Sequence, residues 1–131
     1  MKLNKIAFVG AGTTIEHHIK AISDIKSYKI ELSGIFSRTE FKAKKLKDKY
    51  KIKFLCKDLD ELYKKTKADI LVIVISVENV KKISIEAAKY PWKIFIEKPV
   101  GYNYEETKYI KKKIGKKINN FNIALNRAYY G

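Results

Sequence analysis

Residues 5–15 read KIAFVGAGTTI, an apolar run followed by a turn with two glycines, Gly10 and Gly12, and then by the start of a helical period. A strand, a glycine turn and a helix in this order are typical of the beginning of a βαβ unit. The glycines allow a tight turn and let backbone N–H groups approach a phosphate at the positive end of the helix. The stretch therefore predicts that the phosphates of a dinucleotide are bound by Gly10, Gly12, Thr13 and Thr14.

The turn lacks the third glycine of the full G-x-G-x-x-G pattern, and Ile15 occupies its place. That glycine usually lets the helix pack closely against the strand. We therefore expect Ile15 to push the helix outward or to re-aim its first turn. Because a G-x-G pair alone is a weak signal, a plain strand-to-helix turn without a ligand stays open as the alternative.

Strand-like and helix-like segments alternate along the 131 residues. Short apolar, β-branched runs predict six strands, at residues 5–9, 30–36, 53–55, 70–75, 93–96 and 122–125. Apolar residues at spacings of three and four predict four helices, marked by Ile15, Ile19 and Ile22, by Ala43, Leu46 and Tyr50, by Leu59, Leu62 and Tyr63, and by Val80, Ile83 and Ala87. A fifth helix is predicted from Asn103 to Ile114, because Asn103 and Glu106 form a capping box at its start. The fourth and fifth strands are apolar on successive residues, as in parallel strands covered on both faces. The sequence therefore predicts an α/β fold in a single domain, a doubly wound, mostly parallel six-stranded sheet in three layers.

The net charge of +15 raises the hypothesis of a nucleic-acid partner, because a basic surface attracts polyanions. Only two of the 29 basic residues, Arg38 and Arg127, are arginines, whereas base and phosphate recognition relies on the planar guanidinium. Most lysines, such as those at positions 42, 44 and 45, fall on the polar faces of predicted helices. We therefore interpret the charge as a solvated lysine surface and expect no nucleic-acid partner.

The cysteine content and the length of the apolar runs indicate the cellular compartment. The single cysteine, Cys56, cannot form an internal disulfide, and no run approaches the roughly 18 apolar residues of a membrane span. Since the apolar run near the N-terminus is also too short for a signal peptide, we expect a cytoplasmic protein with no membrane partner.

No His, Cys or carboxylate pair has metal-ligand spacing, so no metal is predicted. His18 lies beside the packed face of its helix and is expected to be structural, whereas His17 faces solvent.

Polar residues follow the second and fourth predicted strands. Ser37 and Arg38 stand where an NAD-binding domain usually carries an acid that accepts hydrogen bonds from the ribose. A hydroxyl and a guanidinium instead suit the 2′-phosphate of NADP, so the sequence favours NADP over NAD. An exposed arginine that starts a helix is the alternative. Ser76 is a candidate contact for the second half of the dinucleotide, and Asn79 either belongs to this site or is the N-cap of the next helix.

The fifth predicted strand ends in Glu97-Lys98-Pro99, at the carboxyl edge of the sheet. Beside a positively charged nicotinamide, an ammonium group loses proton affinity and can hydrogen-bond a substrate oxygen during hydride transfer. Lys98 is therefore a candidate catalytic residue. The alternative is a surface Glu-Lys pair before a loop.

Taken together, these motifs and Asn126-Arg127 after the sixth strand make the chain resemble one known family. It resembles the N-terminal Rossmann domain of the glucose-fructose oxidoreductase, inositol dehydrogenase and rhizopine catabolism (Gfo/Idh/MocA) family of NAD(P)-dependent oxidoreductases. The resemblance spans nearly all 131 residues. It implies that Lys98 is the active-site lysine and that Glu97 lies by the nicotinamide ribose. His18 stands where the family commonly has a histidine after its glycine motif.

Members of this family continue into a second domain, which binds the substrate and forms the oligomer interface, and residues 1–131 are expected to lack it. The resemblance therefore implies the cofactor domain of an oxidoreductase that moves hydride between NADP, or NAD, and a sugar-like or cyclic polyol. Substrate binding and any oligomerisation would depend on the missing domain, so efficient turnover by this chain alone is not expected. The alternative is a stand-alone dinucleotide-binding module without catalysis.

Overall fold

The computed structural model describes residues 2–97 and 104–124, which form six strands, five α-helices and one 3-10 helix. The strands are β1 (Leu3–Val9), β2 (Lys29–Phe36), β3 (Phe54–Cys56), β4 (Ile70–Ile73), β5 (Lys93–Glu97) and β6 (Phe121–Ala124). The helices are α1 (Thr13–Ser23), α2 (Glu40–Tyr50), α3 (Leu59–Thr66), α4 (Val77–Ala87) and α5 (Tyr104–Ile114), followed by the 3-10 helix Gly115–Asn120. The predicted number and order of elements are confirmed.

The strands form one sheet in the order β3-β2-β1-β4-β5-β6, and every neighbouring pair is parallel. The predicted doubly wound α/β fold is thereby confirmed. From β1 the chain proceeds to β2 and β3 on one side, and then crosses back to β4 on the other side. This reversal opens a crevice beyond the carboxyl ends of β1 and β4, which is where such sheets bind ligands.

Helices cover both faces of the sheet. Successive residues of β1 point to opposite faces, so they contact different helices. Ile6 and Phe8 join a buried cluster with residues of α1 and α2, while Ala7 and Val9 join a second cluster with residues of α3 and α4. Helix α5 packs on α4 through a third cluster that contains Ile110. The three predicted layers are therefore present.

The ends of several elements differ from the sequence prediction by one or two residues. Strand β4 ends at Ile73 rather than at residue 75, although the amide of Val74 still donates to the carbonyl of Val9 at 3.0 Å. The last described helix starts at Tyr104, and the predicted capping residue Asn103 lies outside the described residues. At β4 the difference arises because the apolar run continues past the residue where the hydrogen bonds between neighbouring strands stop.

Helices α1 and α2, which flank the crevice, are joined through the side chain of Glu16. The carboxylate of Glu16 accepts hydrogen bonds from the ammonium of Lys49 at 2.6 Å and from the hydroxyl of Tyr50 at 2.8 Å. The bond from Lys49, and then the bond from Tyr50, hold the pKa of Glu16 below its usual value. This contact therefore persists at neutral pH and is lost when the pH falls through the lowered pKa.

Candidate functional site

A cleft of about 650 Å³ lies at the carboxyl ends of β1, β2 and β4, at the reversal point of the sheet. Eight residues are predicted from the sequence to bind the cofactor, and seven of them line this cleft. Those seven are Gly10, Gly12, Thr13, Thr14, Ser37, Arg38 and Ser76. The structure thus brings together residues that are up to 66 positions apart in the chain, between Gly10 and Ser76.

Gly10 is required by the backbone of the turn. Its φ is +125°, and a Cβ atom at this position would lie 2.1 Å from the carbonyl oxygen of Val74. Its amide donates a hydrogen bond of 2.9 Å to the carbonyl of Phe36. Gly10 therefore closes the end of β1 against Phe36, the last residue of β2, and against Val74, just after β4. No other residue fits there without a shift of the backbone.

Gly12 has a different environment. It is the N-cap of α1 with a φ of −87°, and a Cβ atom there would have no heavy atom of the described chain within 4 Å. No described side chain caps α1, so the first amides of the helix face the cleft without a side-chain acceptor. Open space next to unpaired helix amides is the arrangement that receives a phosphate group.

Ile15 fills the space beneath the glycine turn. Its side chain is fully buried in the cluster of α1 and α2, and its Cδ1 would lie 3.4 Å from a Cβ atom on Gly10. Helix α1 nevertheless begins at Thr13, and Ile15 forms part of the wall of the 650 Å³ cleft. An isoleucine in place of the third glycine therefore leaves the cleft open.

The loop after β2 brings basic groups to the cleft. Arg38 is exposed, and its Nη1 donates a hydrogen bond of 2.7 Å to Oδ1 of Asn79. Lys42, in the first turn of α2, also lines the cleft, although its spacing alone assigned it to a solvated helix face. Its position four residues after Arg38 is the sequence feature from which its place in the cleft could have been predicted. The walls of the cleft therefore carry two cations near the end of β2.

Asn79 is not an N-cap, so that alternative of the sequence analysis is wrong. Helix α4 starts earlier, with Ser76 as its N-cap, and Asn79 is the third helical residue. Its side-chain amide donates to Oγ of Ser76 at 2.8 Å and accepts from Arg38. Asn79 lines the cleft together with both partners.

Glu97, the last residue of β5, is not among the described residues that line the cleft. Its Oε2 lies 2.8 Å from Nε2 of His18, and the two side chains are 19% and 30% exposed. The ring of His18 also meets the ring of Phe95 edge-on, with 6.2 Å between the centroids. His18 therefore has the predicted structural role, as it joins α1 to β5, while His17 is exposed as expected. Lys98 lies outside the described residues.

The described residues hold no group of three or more His, Cys, Asp or Glu side chains that could bind a metal ion. Within the same part of the chain, none of the helices has the length and hydropathy of a membrane span.

Cys56 is 3% exposed, and burial, aided by the negative charge of Glu61, raises the pKa of its thiol to about 11. Because the thiolate is the reactive form, we expect DTNB at about pH 8 to modify Cys56 about a hundredfold more slowly in the folded chain than in urea. The absorbance of the released thionitrobenzoate measures both rates. Equal rates would contradict the burial of this thiol.

Comparison with known protein families identifies the same type of fold. Residues 4–123 match the Gfo/Idh/MocA family model, described as an oxidoreductase family with an NAD-binding Rossmann fold. No curated protein matched the chain.

Solved structures with the same fold include inositol dehydrogenases. Myo-inositol dehydrogenase from Lactobacillus casei, in complex with NAD(H) and myo-inositol, has a TM-score of 0.86 at 18% identity. Scyllo-inositol dehydrogenase from the same organism, with bound NAD(H) and scyllo-inositol, has a TM-score of 0.83 at 22% identity. Myo-inositol dehydrogenase from Corynebacterium glutamicum has a TM-score of 0.84 at 22% identity. In each comparison 98% of this chain is covered, and the chain spans 38% of the length of the other protein.

Proposed function

The chain belongs to the Gfo/Idh/MocA oxidoreductase family, as the match over residues 4–123 shows, and we propose that it is the NADP-binding domain of a dehydrogenase. The substrate proposed is a sugar-like or cyclic polyol. Two structural neighbours support this class of substrate, since they hold NAD(H) together with myo-inositol or scyllo-inositol.

The observation that carries the choice of NADP is the pair of cations beside the end of β2. Arg38 and Lys42 both line the cleft, and Ser37 precedes them with a hydroxyl in place of the acid that NAD-binding domains use there. A guanidinium binds phosphate through short, charge-assisted hydrogen bonds. Ser37 and Arg38 therefore replace the carboxylate that would accept from the ribose 2′-hydroxyl of NAD, and the carboxylate of Glu78 lies on the wall of the cleft that Asn79 also lines.

The rest of the cleft fits the other parts of a dinucleotide. The first amides of α1, next to the open space at Gly12, would hold the pyrophosphate, and Thr13 and Thr14 add hydroxyl groups there. Ser76, at the far wall, would contact the half of the dinucleotide that carries the nicotinamide. We propose Glu97 as a contact of the nicotinamide ribose through its second carboxylate oxygen, Oε1, while Oε2 keeps the bond to His18.

The bound nicotinamide supplies the hydride acceptor or donor of the reaction. The chain's own part in the chemistry is assigned to Lys98. In its neutral form its amine would accept the proton of the substrate hydroxyl as hydride leaves for the nicotinamide, and in the reverse reaction its ammonium would return that proton to the carbonyl oxygen. Glu97 directly precedes Lys98, and the contact of Glu97 with His18 fixes the end of β5 to α1.

We also propose that the walls that orient the polyol come from outside residues 1–131. The residues that line the cleft offer groups for a dinucleotide, and the solved neighbours are longer, since this chain spans 38% of each. A second domain would supply these walls and the contacts of any oligomer, so efficient turnover is proposed for the assembled enzyme and not for these 131 residues alone.

Calorimetric titration with NADPH and NADH tests the cofactor assignment. We expect the wild-type chain to bind NADPH more tightly than NADH, and Arg38→Ala to weaken NADPH binding about tenfold, because charge-assisted hydrogen bonds to the 2′-phosphate are lost. NADH binding should change less than about twofold, since NADH lacks that phosphate.

Lys45→Ala is the matched control for this prediction. Lys45 is exposed on α2 and is not among the residues that line the cleft, so its replacement removes one positive charge outside the site. It should leave both affinities nearly unchanged. Equal loss of NADPH and NADH affinity in Arg38→Ala, or equal binding of both by the wild type, would contradict the NADP assignment.

A further inference from the structure

Three side chains form a continuous hydrogen-bonded chain along one wall of the cleft. Nη1 of Arg38 donates to Oδ1 of Asn79 at 2.7 Å, and Nδ2 of Asn79 donates to Oγ of Ser76 at 2.8 Å. The first of these bonds joins residues 41 positions apart, from the loop after β2 to the first turn of α4. All three residues line the cleft.

We propose that Asn79 is a positioning residue that holds Arg38 for the 2′-phosphate and so sets the preference for NADP over NAD. This inference rests on the proposed function, because it concerns the same cleft and the same arginine. The preference for NADP over NAD would then depend on a residue of α4 as well as on the loop after β2, where sequence patterns place it.

The flexibility of arginine makes such a partner useful. An exposed arginine samples many rotamers, and binding a phosphate requires it to adopt one of them. The bond to Asn79 fixes the guanidinium at the edge of the cleft before the ligand arrives, so less entropy remains to be lost on binding. The guanidinium has five N–H donors, and Asn79 takes one through Nη1, so the others stay available to phosphate oxygens.

Asn79 suits this role because it is neutral and is itself held in place. Its backbone lies in α4, where its amide donates to the carbonyl of Ser76 at 3.0 Å. The bond from its Nδ2 to Ser76 orients the side-chain amide so that the oxygen faces Arg38. A carboxylate in the same place would also accept from Arg38, but it would neutralise the positive charge and repel the incoming 2′-phosphate.

Two single variants and one double variant separate these effects, each titrated with NADPH and with NADH. Asn79→Ala should weaken NADPH binding about fivefold and leave NADH binding within about twofold, since one hydrogen bond to the arginine is lost. Asn79→Asp, which matches asparagine in shape, should weaken NADPH binding about tenfold or more through its charge. Adding Asn79→Ala to Arg38→Ala should cause no further loss of NADPH affinity, because the residue acts through Arg38.

The outcomes distinguish failure of the inference from failure of the proposed function. If the wild type prefers NADPH and Arg38→Ala removes the preference, but Asn79→Ala leaves the NADPH-to-NADH affinity ratio unchanged, only the role of Asn79 is overturned. Equal weakening of both ligands by Asn79→Ala would show a merely structural role, and tighter NADPH binding would show that Asn79 competes for the arginine; both overturn the inference. A wild type without NADPH preference overturns the proposed function and this inference with it.

Discussion

Gly10→Ala is expected to destabilise the domain by about 3–5 kcal/mol, a large part of the total stability of a domain of this size. Two effects add up at this position. The φ of +125° is strained for any residue with a side chain, and the new Cβ would overlap the carbonyl oxygen of Val74 at 2.1 Å. Because the obstacle is backbone, it cannot move aside as a side-chain end would, and the ladder between β1 and β4 has to distort. Urea unfolding followed by circular dichroism measures the loss.

Gly12→Ala is the matched control in the same turn. Its φ of −87° is open to alanine, and a Cβ atom there would have no described heavy atom within 4 Å. We expect the variant to lose about 1 kcal/mol of stability or less, which is the typical cost of placing alanine at an N-cap. The methyl group would project into the space proposed for the pyrophosphate, so NADPH affinity should fall while the fold is kept. A Gly10→Ala chain with an unchanged urea midpoint would contradict this account of the turn.

The fold could be predicted from the sequence because each element has a local signal. The apolar runs of β4 and β5 and the three- and four-residue spacings of the helices report burial on one or two faces, and the parallel arrangement follows from their alternation. The different roles of Gly10 and Gly12 could not be predicted this way. The position of Val74, 64 residues further along the chain, shows why residue 10 has to be a glycine. At Gly12, by contrast, no described heavy atom would lie within 4 Å of a Cβ atom.

The candidate site was predictable to the extent that its residues follow strand ends. Ser37, Arg38 and Ser76 were found for that reason, because parallel strands place their carboxyl ends at one edge. Asn79 and Lys42 lie on helices, where their spacing suggested a cap and a solvated face. Their role in the wall of the cleft depends on how α2 and α4 are set against the sheet, which a local pattern does not contain.

Lys98→Ala is expected to lower kcat/KM of the assembled enzyme by about 10²–10⁴-fold, the range that a positioned proton-transfer group contributes. This prediction is based on the match of Glu97-Lys98-Pro99 to the motif of the family, and Glu97 gives it structural support. Glu97 ends β5 with its carboxylate bonded to His18, so the chain that enters Lys98 is fixed to α1. The assay would follow NADPH formation from NADP with myo-inositol and scyllo-inositol as probe substrates, in the full natural protein.

Two further variants decide whether the lysine acts through its proton or through its charge. Lys98→Arg keeps the positive charge, but a guanidinium does not release its proton in proteins, so activity should stay low if proton exchange is the role. Lys93→Ala removes a lysine from the exposed opposite end of β5 and should leave turnover nearly unchanged. The NADPH dissociation constant of Lys98→Ala should stay within a few-fold of the wild type, because the loss concerns the chemical step. If turnover also stays within a few-fold, Lys98 is not the catalytic group, and the Glu-Lys-Pro segment is a surface turn after β5.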